Sequence, residues 1–130
     1  MIILDTHIWY WWVGDSPRLQ MRQRELIEAH QADGLGVSIF SCWEIAKKNQ
    51  LGKLELDRPV HEWLDCALAY PGIRLLPLTP DIVVESTSLP GQFHRDPADE
   101  LIVATARVHA CPLLTADAKI LSYPHVTLLK

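Results

Sequence analysis

Four acidic side chains come where an apolar, strand-like run of the sequence gives way to a helix. Asp5 directly follows the first such run, and Glu44 lies in the first turn of the helix after the second. Asp99 lies in the first turn of a helix that starts at Pro97, and Asp117 comes two residues after a later strand. In an open α/β sheet, ligands bind beyond the carboxyl ends of the strands. We therefore expect these four carboxylates to converge at one edge of a sheet.

Converging carboxylates repel one another, and a divalent cation is the simplest way to neutralise them. Oxygen ligands suit Mg²⁺, with Mn²⁺ as a substitute, whereas Zn²⁺ prefers His and Cys. No two of the six histidines have the HxxxH spacing of a zinc site, and only His94 is placed beside the acids, either as a functional group or as a hydrogen-bonding loop residue. Mg²⁺ held by few carboxylates keeps several waters and binds substrate phosphate. The acids therefore indicate metal-assisted hydrolysis of a phosphodiester.

Each acid also has a purely structural interpretation. Asp5 and Asp117 fit plain helix N-caps, and Asp96 before a proline is a very good one. Ser41 followed three residues later by Glu44 fits a capping box, and Glu44 is also spaced to pair with a lysine one turn on. Acids are favoured at helix starts in any case, so position alone leaves both interpretations open.

Helical spacing separates Asp99 from Asp96. Three, four and seven residues beyond Asp99 lie Ile102, Val103 and Ala106, so Asp99 falls on the apolar stripe of its helix. The same steps from Asp96 reach a more polar neighbourhood. An acid on an inward stripe is costly unless it is paired or bound to a metal. Asp99 is therefore the better ligand candidate of the two.

The elements that must position these acids alternate along the chain. We predict strands at 1–4, 35–39, 73–76, 112–115 and 126–129, and helices at 6–13, 17–30, 41–50, 59–70, 80–88, 97–110 and 116–123. This alternation predicts an α/β fold with a mostly parallel central sheet of about five strands, covered by helices on both faces. No repeat, linker or low-complexity tract interrupts it, so we expect one domain over residues 1–130.

Composition limits the function classes. Twelve Lys and Arg against sixteen Asp and Glu give a net charge of −4, which excludes a polycation that grips nucleic acid over its whole surface but not a carboxylate-based nuclease. Three cysteines without a CxxC spacing indicate buried free thiols in a reducing cytosol. No stretch has the length of a membrane span, and Asp5 interrupts the opening apolar run too early for a signal peptide. We expect a cytoplasmic protein with no membrane contact.

Six short motifs follow one another over essentially the whole chain: LDTH at 4–7, SCWEIA at 41–46, GKL at 52–54, HRDPAD at 94–99, IVATA at 102–106 and LTAD at 114–117. Together and in this order they resemble the motifs of the PIN-domain ribonucleases, and among them the VapC-type toxins of type II toxin–antitoxin systems. Each segment is short, and their combination is what makes the resemblance specific.

The resemblance implies a set of site residues and partners. Asp5, Glu44, Asp99 and Asp117 would be the catalytic residues and the ligands of Mg²⁺ or Mn²⁺, with Asp117 acting directly or through a water. Asp96, Thr115 and Arg95 would be auxiliary, and Lys47 or Lys48 would help Arg95 steer the RNA backbone unless these cations merely face solvent. The implied activity is hydrolysis of RNA by a metal-activated water. The implied partners are an RNA substrate, a cognate antitoxin protein and a second copy in a homodimer.

The helix predicted at 6–13 is apolar around nearly its full circumference. Such a helix is either buried in the core or partly covered by another chain, with its large aromatics as anchors. The resemblance makes the antitoxin or a second subunit the covering chain.

Two other function classes stay open from sequence. A non-catalytic PIN-like binding or assembly module would keep the fold, although such a module is expected to lose carboxylates and here all are present. A Mg²⁺-binding phosphoacceptor receiver domain is less favoured, because Thr6 stands where an acidic pair is expected and Pro77 follows strand three where an acceptor Asp is expected.

Overall fold

The computed structural model describes residues 1–130 as alternating strands and helices. The strands are β1 (Ile2–Leu4), β2 (Leu35–Ser38), β3 (Ile73–Leu76) and β4 (Leu113–Leu114). The helices are α1 (Thr6–Val13), α2 (Met21–His30), α3 (Ile39–Gln50), α4 (Val60–Leu68), α5 (Pro80–Ser86), α6 (Pro97–His109) and α7 (Ala118–Leu121). The predicted α/β class is confirmed.

The four strands form one parallel sheet in the order β3-β2-β1-β4. The first strand is central, pairing Ile3 with Gly36 of β2 on one side and with Leu113 of β4 on the other. Every strand therefore ends at the same edge, and Asp5 comes at that edge directly after β1.

Helices cover both faces of the sheet because successive strand residues point to opposite sides. On one face, Leu4 packs in a cluster with Trp9 of α1 and Ile45 of α3, which also takes in residues of α2 and α4. On the other face, Ile3 packs with Ile102 of α6, and α7 contributes to the same cluster. The predicted parallel sheet covered on both faces is confirmed.

The predicted fifth strand at 126–129 is wrong. Only one isolated parallel bridge, between Leu113 and Leu128, joins this segment to the sheet. β4 itself is only two residues long, so its outer edge offers little backbone for a further strand. The sheet has four strands where about five were predicted.

Several helix boundaries also differ from the predicted ones. The helix predicted at 17–30 begins at Met21, because Gln20 is extended and its N–H donates to the side-chain Oε1 of Gln23. The helix predicted at 41–50 begins two residues earlier, where the Ser38 hydroxyl accepts a hydrogen bond from the N–H of Phe40. α4, α5, α6 and α7 are each shorter than predicted by one to several residues at one or both ends.

Gly72 makes the turn that leads into β3. Its φ of 91° lies in the left-handed region, and an added Cβ would collide with the backbone carbonyl of Gln31. The Gly72 carbonyl also accepts a hydrogen bond from the N–H of Leu35. The start of β2 and the start of β3 are therefore held together at a position that only glycine can occupy without strain.

Candidate active site

Asp5 lies at the end of the central strand with its carboxylate almost entirely buried. Its Oδ1 accepts a hydrogen bond from the N–H of Thr6, and its Oδ2 accepts one from the hydroxyl of Thr115, each at 2.7 Å. Thr115 follows β4, so the pairing of β4 with β1 brings this hydroxyl to Asp5. Burial raises the pKa of Asp5, while the Thr115 hydrogen bond opposes the rise and the nearby charge of Asp117 adds to it.

Glu44 is joined to Asp5 through Thr6, the first residue of α1. The Thr6 hydroxyl donates to Oε1 of Glu44 at 2.6 Å, and it lies 2.7 Å from the hydroxyl of Ser41. Because the single hydroxyl hydrogen of Thr6 goes to the carboxylate, Ser41 must donate to Thr6. One threonine therefore connects the end of β1 to α3.

This contact overturns the capping interpretation of Glu44. Ser41 is fully buried inside α3, and the helix is capped by Ser38, so Ser41 and Glu44 form no capping box. The predicted pairing with Lys48 does exist, at 3.9 Å between Nζ and Oε2. The carboxylate of Glu44 therefore contacts Thr6 through one oxygen and Lys48 through the other.

Partial burial also raises the pKa of Glu44. The Thr6 hydrogen bond and the charge of Lys48 lower the pKa, whereas the charges of Asp5 and Asp99 raise it further. Two neighbouring negative charges therefore make Glu44 harder to ionise. The acid that follows β1 and the acids of α3 and α6 thus repel one another.

Asp99 lies on the inward face of α6, as its helical spacing predicts. Ile102, Val103 and Ala106 are all buried, and Asp99 itself is half-buried. Its Oδ2 lies 2.5 Å from Nε2 of His94, a residue of the loop before the helix. Burial raises the pKa of Asp99 despite the His94 contact, and the charges of Asp96, Asp117 and Asp5 contribute to the rise.

Asp96 and Asp117 act as helix caps. Asp96 caps α6 by accepting a hydrogen bond from the N–H of Asp99 at 3.1 Å. Asp117 caps α7 through Oδ1, which accepts from the N–H groups of Lys119 and Ile120. Its own N–H donates to the Thr115 hydroxyl, so Asp117 is tied to the residue that also contacts Asp5.

The donor set fits a hard divalent cation, although the side chains do not close around one. No group of three or more His, Cys, Asp or Glu side chains lies close enough to hold a single ion. Instead Asp5 bonds to Thr115, Glu44 to Thr6 and Asp99 to His94. All-oxygen donors suit Mg²⁺ or Mn²⁺. One buried and two partly buried carboxylates, each with a raised pKa, would gain from a cation between them.

Some functional contacts could not be inferred from the sequence, and some predicted residues make none. Thr6 and Ser41 are the missed features; for Thr6 the only signal was its position next to Asp5. His94, expected beside the acids either as a functional group or as a hydrogen-bonding loop residue, does contact Asp99. Arg95 is exposed, and Lys47 is exposed with its Nζ donating to the side chain of Gln50. For these two cations the solvent-facing interpretation describes what the structure shows.

The aromatic helix α1 is buried along only part of its surface. Ile8 and Trp9 are fully buried, while Trp11 and Trp12 are half-buried and His7 is exposed. The interpretation as a core helix therefore describes one side of α1, and the interpretation as a surface for another chain remains open for the other side.

A membrane-spanning helix is not found, since each helix is too short or too polar to serve as one.

The cysteines are all unpaired, but only one of them is buried as predicted. Cys42 is buried, and burial raises the pKa of its thiol to about 11. Cys111 is half-buried, and Cys66 is exposed at the end of α4, where Arg58 donates to its sulfur. The expectation of buried thiols is therefore wrong for Cys66.

Comparisons with known proteins point in one direction. The model of the family described as PIN domain matches residues 2–126. Ribonuclease VapC22 of Mycobacterium tuberculosis is 36% identical over 124 residues, which cover 95% of this chain and 92% of that protein. A toxin–antitoxin complex from Klebsiella pneumoniae matches with a TM-score of 0.70 at 19% identity, over 98% of this chain and 96% of the other. VapBC2 from Rickettsia felis, bound to a DNA fragment from its promoter, matches with a TM-score of 0.71 at 17% identity, over 99% and 98%. At 19% and 17% identity, these two structures show only that the present chain has the same fold.

Proposed function

Because this chain belongs to the PIN domain family, we propose that it is a divalent-metal-dependent endoribonuclease and the toxin of a toxin–antitoxin pair. The family resemblance seen in the sequence motifs is thereby confirmed. The curated relative is named a ribonuclease and aligns along nearly the whole length of both proteins. One of the structures compared above is a toxin–antitoxin complex, and the other is VapBC2 bound to DNA from its promoter.

The observation that carries the proposal is the set of buried and partly buried carboxylates at the carboxyl edge of the sheet. Asp5, Glu44 and Asp99 come from three separate elements, and burial raises the pKa of each. Keeping several acids partly desolvated and mutually repelling destabilises a protein. Such an arrangement is characteristic of sites at which the charge is used.

We assign Asp5, Glu44 and Asp99 as the residues that would hold the metal, with Asp117 contributing directly or through a water. When bound, Mg²⁺ or Mn²⁺ activates water for attack on phosphorus and neutralises charge on the leaving oxygen. The chain's own hydroxyls orient the carboxylates: Thr115 fixes one oxygen of Asp5, and Thr6 fixes one oxygen of Glu44. His94 holds Asp99.

The proposed partners are a single-stranded region of RNA as substrate, a cognate antitoxin and a second copy of the chain. The proposed site of action is the cytoplasm, where such an RNA would be met. The half-buried aromatics Trp11 and Trp12 on α1, together with the exposed Trp43 on α3, are the large apolar side chains that a protein partner would cover.

The experiment that tests this proposal is cleavage of a long single-stranded RNA with Mg²⁺, with Mn²⁺ and with chelator. We expect cleavage only with metal, and we expect Asp5→Asn and Asp99→Asn each to lower the rate by more than about 100-fold, since even indirect supports of a metal site cost up to that much. Urea unfolding of both variants checks that the fold is intact.

Asp33→Asn is the matched control. Asp33 is exposed and precedes β2, at the opposite edge of the sheet from Asp5, so its loss should leave cleavage unchanged. Retained activity in Asp5→Asn or Asp99→Asn would remove that residue from the mechanism. A folded wild-type chain that binds RNA but cuts nothing with either metal would favour the non-catalytic module.

A further inference from the structure

A cleft opens beside Glu44, on the side of α3 that faces α1. It has a volume of about 470 Å³ and is walled by His7, Tyr10 and Trp11 of α1 and by Lys48 near the end of α3. Arg18 and Lys53 complete its rim. A volume of this size is within the usual range for small-ligand pockets and is sufficient for one nucleotide unit.

The cleft is basic although the protein as a whole is acidic. The chain carries a net charge of −4, yet Arg18, Lys48 and Lys53 line this cleft and Glu55 is its only acid. Arg18 and Lys53 are exposed and form no salt bridge. Two cations without acidic partners at the mouth of a cleft are available to contact phosphate oxygens.

Lys48 connects the cleft to the acidic site. Nζ of Lys48 lies 3.9 Å from Oε2 of Glu44 and 3.4 Å from Nε2 of His7. His7 in turn packs beside Trp11, with 5.9 Å between ring centroids. The Tyr10 hydroxyl donates to the backbone carbonyl of Glu55 at 2.7 Å, which fixes the far wall. With increasing distance from Glu44, the ammonium group of Lys48 comes first and the rings of His7 and Trp11 follow.

We propose that this cleft binds the nucleotide of single-stranded RNA that flanks the scissile phosphate. Arg18 and Lys53 each contact a different backbone phosphate, and the base lies against His7 and Trp11. Unpaired bases are bound by stacking on aromatic side chains, and a basic groove follows the backbone. The inference rests on the proposed ribonuclease function, which requires the RNA to continue past Glu44.

The test is the affinity of wild type and variants for a short fluorescein-labelled single-stranded RNA, measured by anisotropy in chelator over a range of salt concentrations. In chelator no cleavage occurs, so binding is read separately from chemistry. Each phosphate contact contributes about 0.7 to the slope of log affinity against log salt for a single strand. We expect Arg18→Ala and Lys53→Ala each to weaken binding several-fold and to reduce the slope by about 0.7, whereas Lys53→Arg keeps both.

Arg22→Ala is the charge-matched control, because Arg22 is exposed on α2 outside the cleft and contacts Glu25 and the backbone carbonyl of Lys130. It should leave the affinity and the slope unchanged. With Mg²⁺ present, Lys53→Ala should raise KM and keep kcat, since the acidic site is intact.

The results separate this proposal from the one on which it rests. Wild-type affinity and slope in both Arg18→Ala and Lys53→Ala would overturn the cleft assignment, whether or not Asp99→Asn abolishes cleavage. A changed oligomeric state in these variants with an unchanged RNA slope would assign the cleft to a second copy and would also overturn it. Reduced slopes in a chain that cuts no RNA would support the cleft and refute the ribonuclease.

Discussion

Replacing Thr115 by valine should destabilise the protein through Asp5. The Thr115 hydroxyl donates to Oδ2 of Asp5 at 2.7 Å and accepts from the N–H of Asp117 at 3.0 Å. Valine has nearly the same shape, so the change removes two hydrogen bonds with little loss of packing. A hydrogen bond to a charged group contributes about 1.5–3 kcal/mol and a neutral one about 0.5–1.5 kcal/mol. With Asp5 ionised, we expect a loss of about 2–4.5 kcal/mol.

The assay is urea unfolding in chelator, followed by tryptophan fluorescence, for which the fully buried Trp9 is a suitable reporter. Thr105→Val is the matched control. Thr105 is equally buried, but its hydroxyl donates to the backbone carbonyl of Leu101 in the same helix. We expect it to cost no more than about 1.5 kcal/mol.

The pH dependence of the loss identifies Asp5 as its cause. Burial raises the pKa of Asp5 and the Thr115 hydrogen bond opposes that rise, so without the hydroxyl the pKa of Asp5 rises further. The stabilisation by Thr115 is present when Asp5 is ionised and is lost as the pH falls through the pKa of Asp5. The cost of Thr115→Val should therefore grow as the pH rises through the raised pKa of Asp5, while that of Thr105→Val stays constant. Equal costs in the two variants, or a cost of Thr115→Val that does not vary with pH, would refute this reasoning.

Two further outcomes follow from the same contacts. Burial raises the pKa of Asp5, Glu44 and Asp99, so their contribution to stability is complete below about pH 4 and is lost as the pH rises through the raised values. The urea midpoint of the chelated protein should therefore fall with rising pH, less steeply in Asp99→Asn and less steeply with added Mg²⁺. Identical pH profiles for wild type and Asp99→Asn would contradict the assignment. Gly72→Ala should cost at least about 1–3 kcal/mol, because a Cβ at this left-handed residue meets the backbone of Gln31; a urea midpoint equal to that of wild type would show that the turn relaxes without strain.

The sheet and the inward position of Asp99 were predictable because both depend on local pattern. Continuous apolar runs indicate strands buried on two faces, and the apolar residues after Asp99 at helical spacing place it on a buried stripe. The prediction of a fifth strand was wrong because a strand also needs backbone pairing with its neighbour, which local pattern does not show. The apolar residues near Leu128 pack and form one bridge, and burial does not require a ladder of backbone hydrogen bonds.

The contacts around Glu44 were not predictable from local sequence. A serine three residues before a glutamate satisfies the pattern of a capping box, and only the approach of α1 to α3 shows that both side chains contact Thr6 instead. The pairing of Thr115 with Asp5 likewise spans almost the whole chain. Hydrogen bonds between distant segments depend on strand order, which periodicity does not determine.

The central position of β1 has a consequence for when during synthesis the chain matures. β1 lies between β2 and β4, and β4 is the last strand to be translated. A nascent polypeptide therefore carries Asp5 without its Thr115 neighbour until residues 113–117 have left the ribosomal tunnel. A chain that stalls or is truncated before that stretch lacks the β4 partner of its central strand. It should therefore be unable to cleave the messenger RNA from which it is being translated.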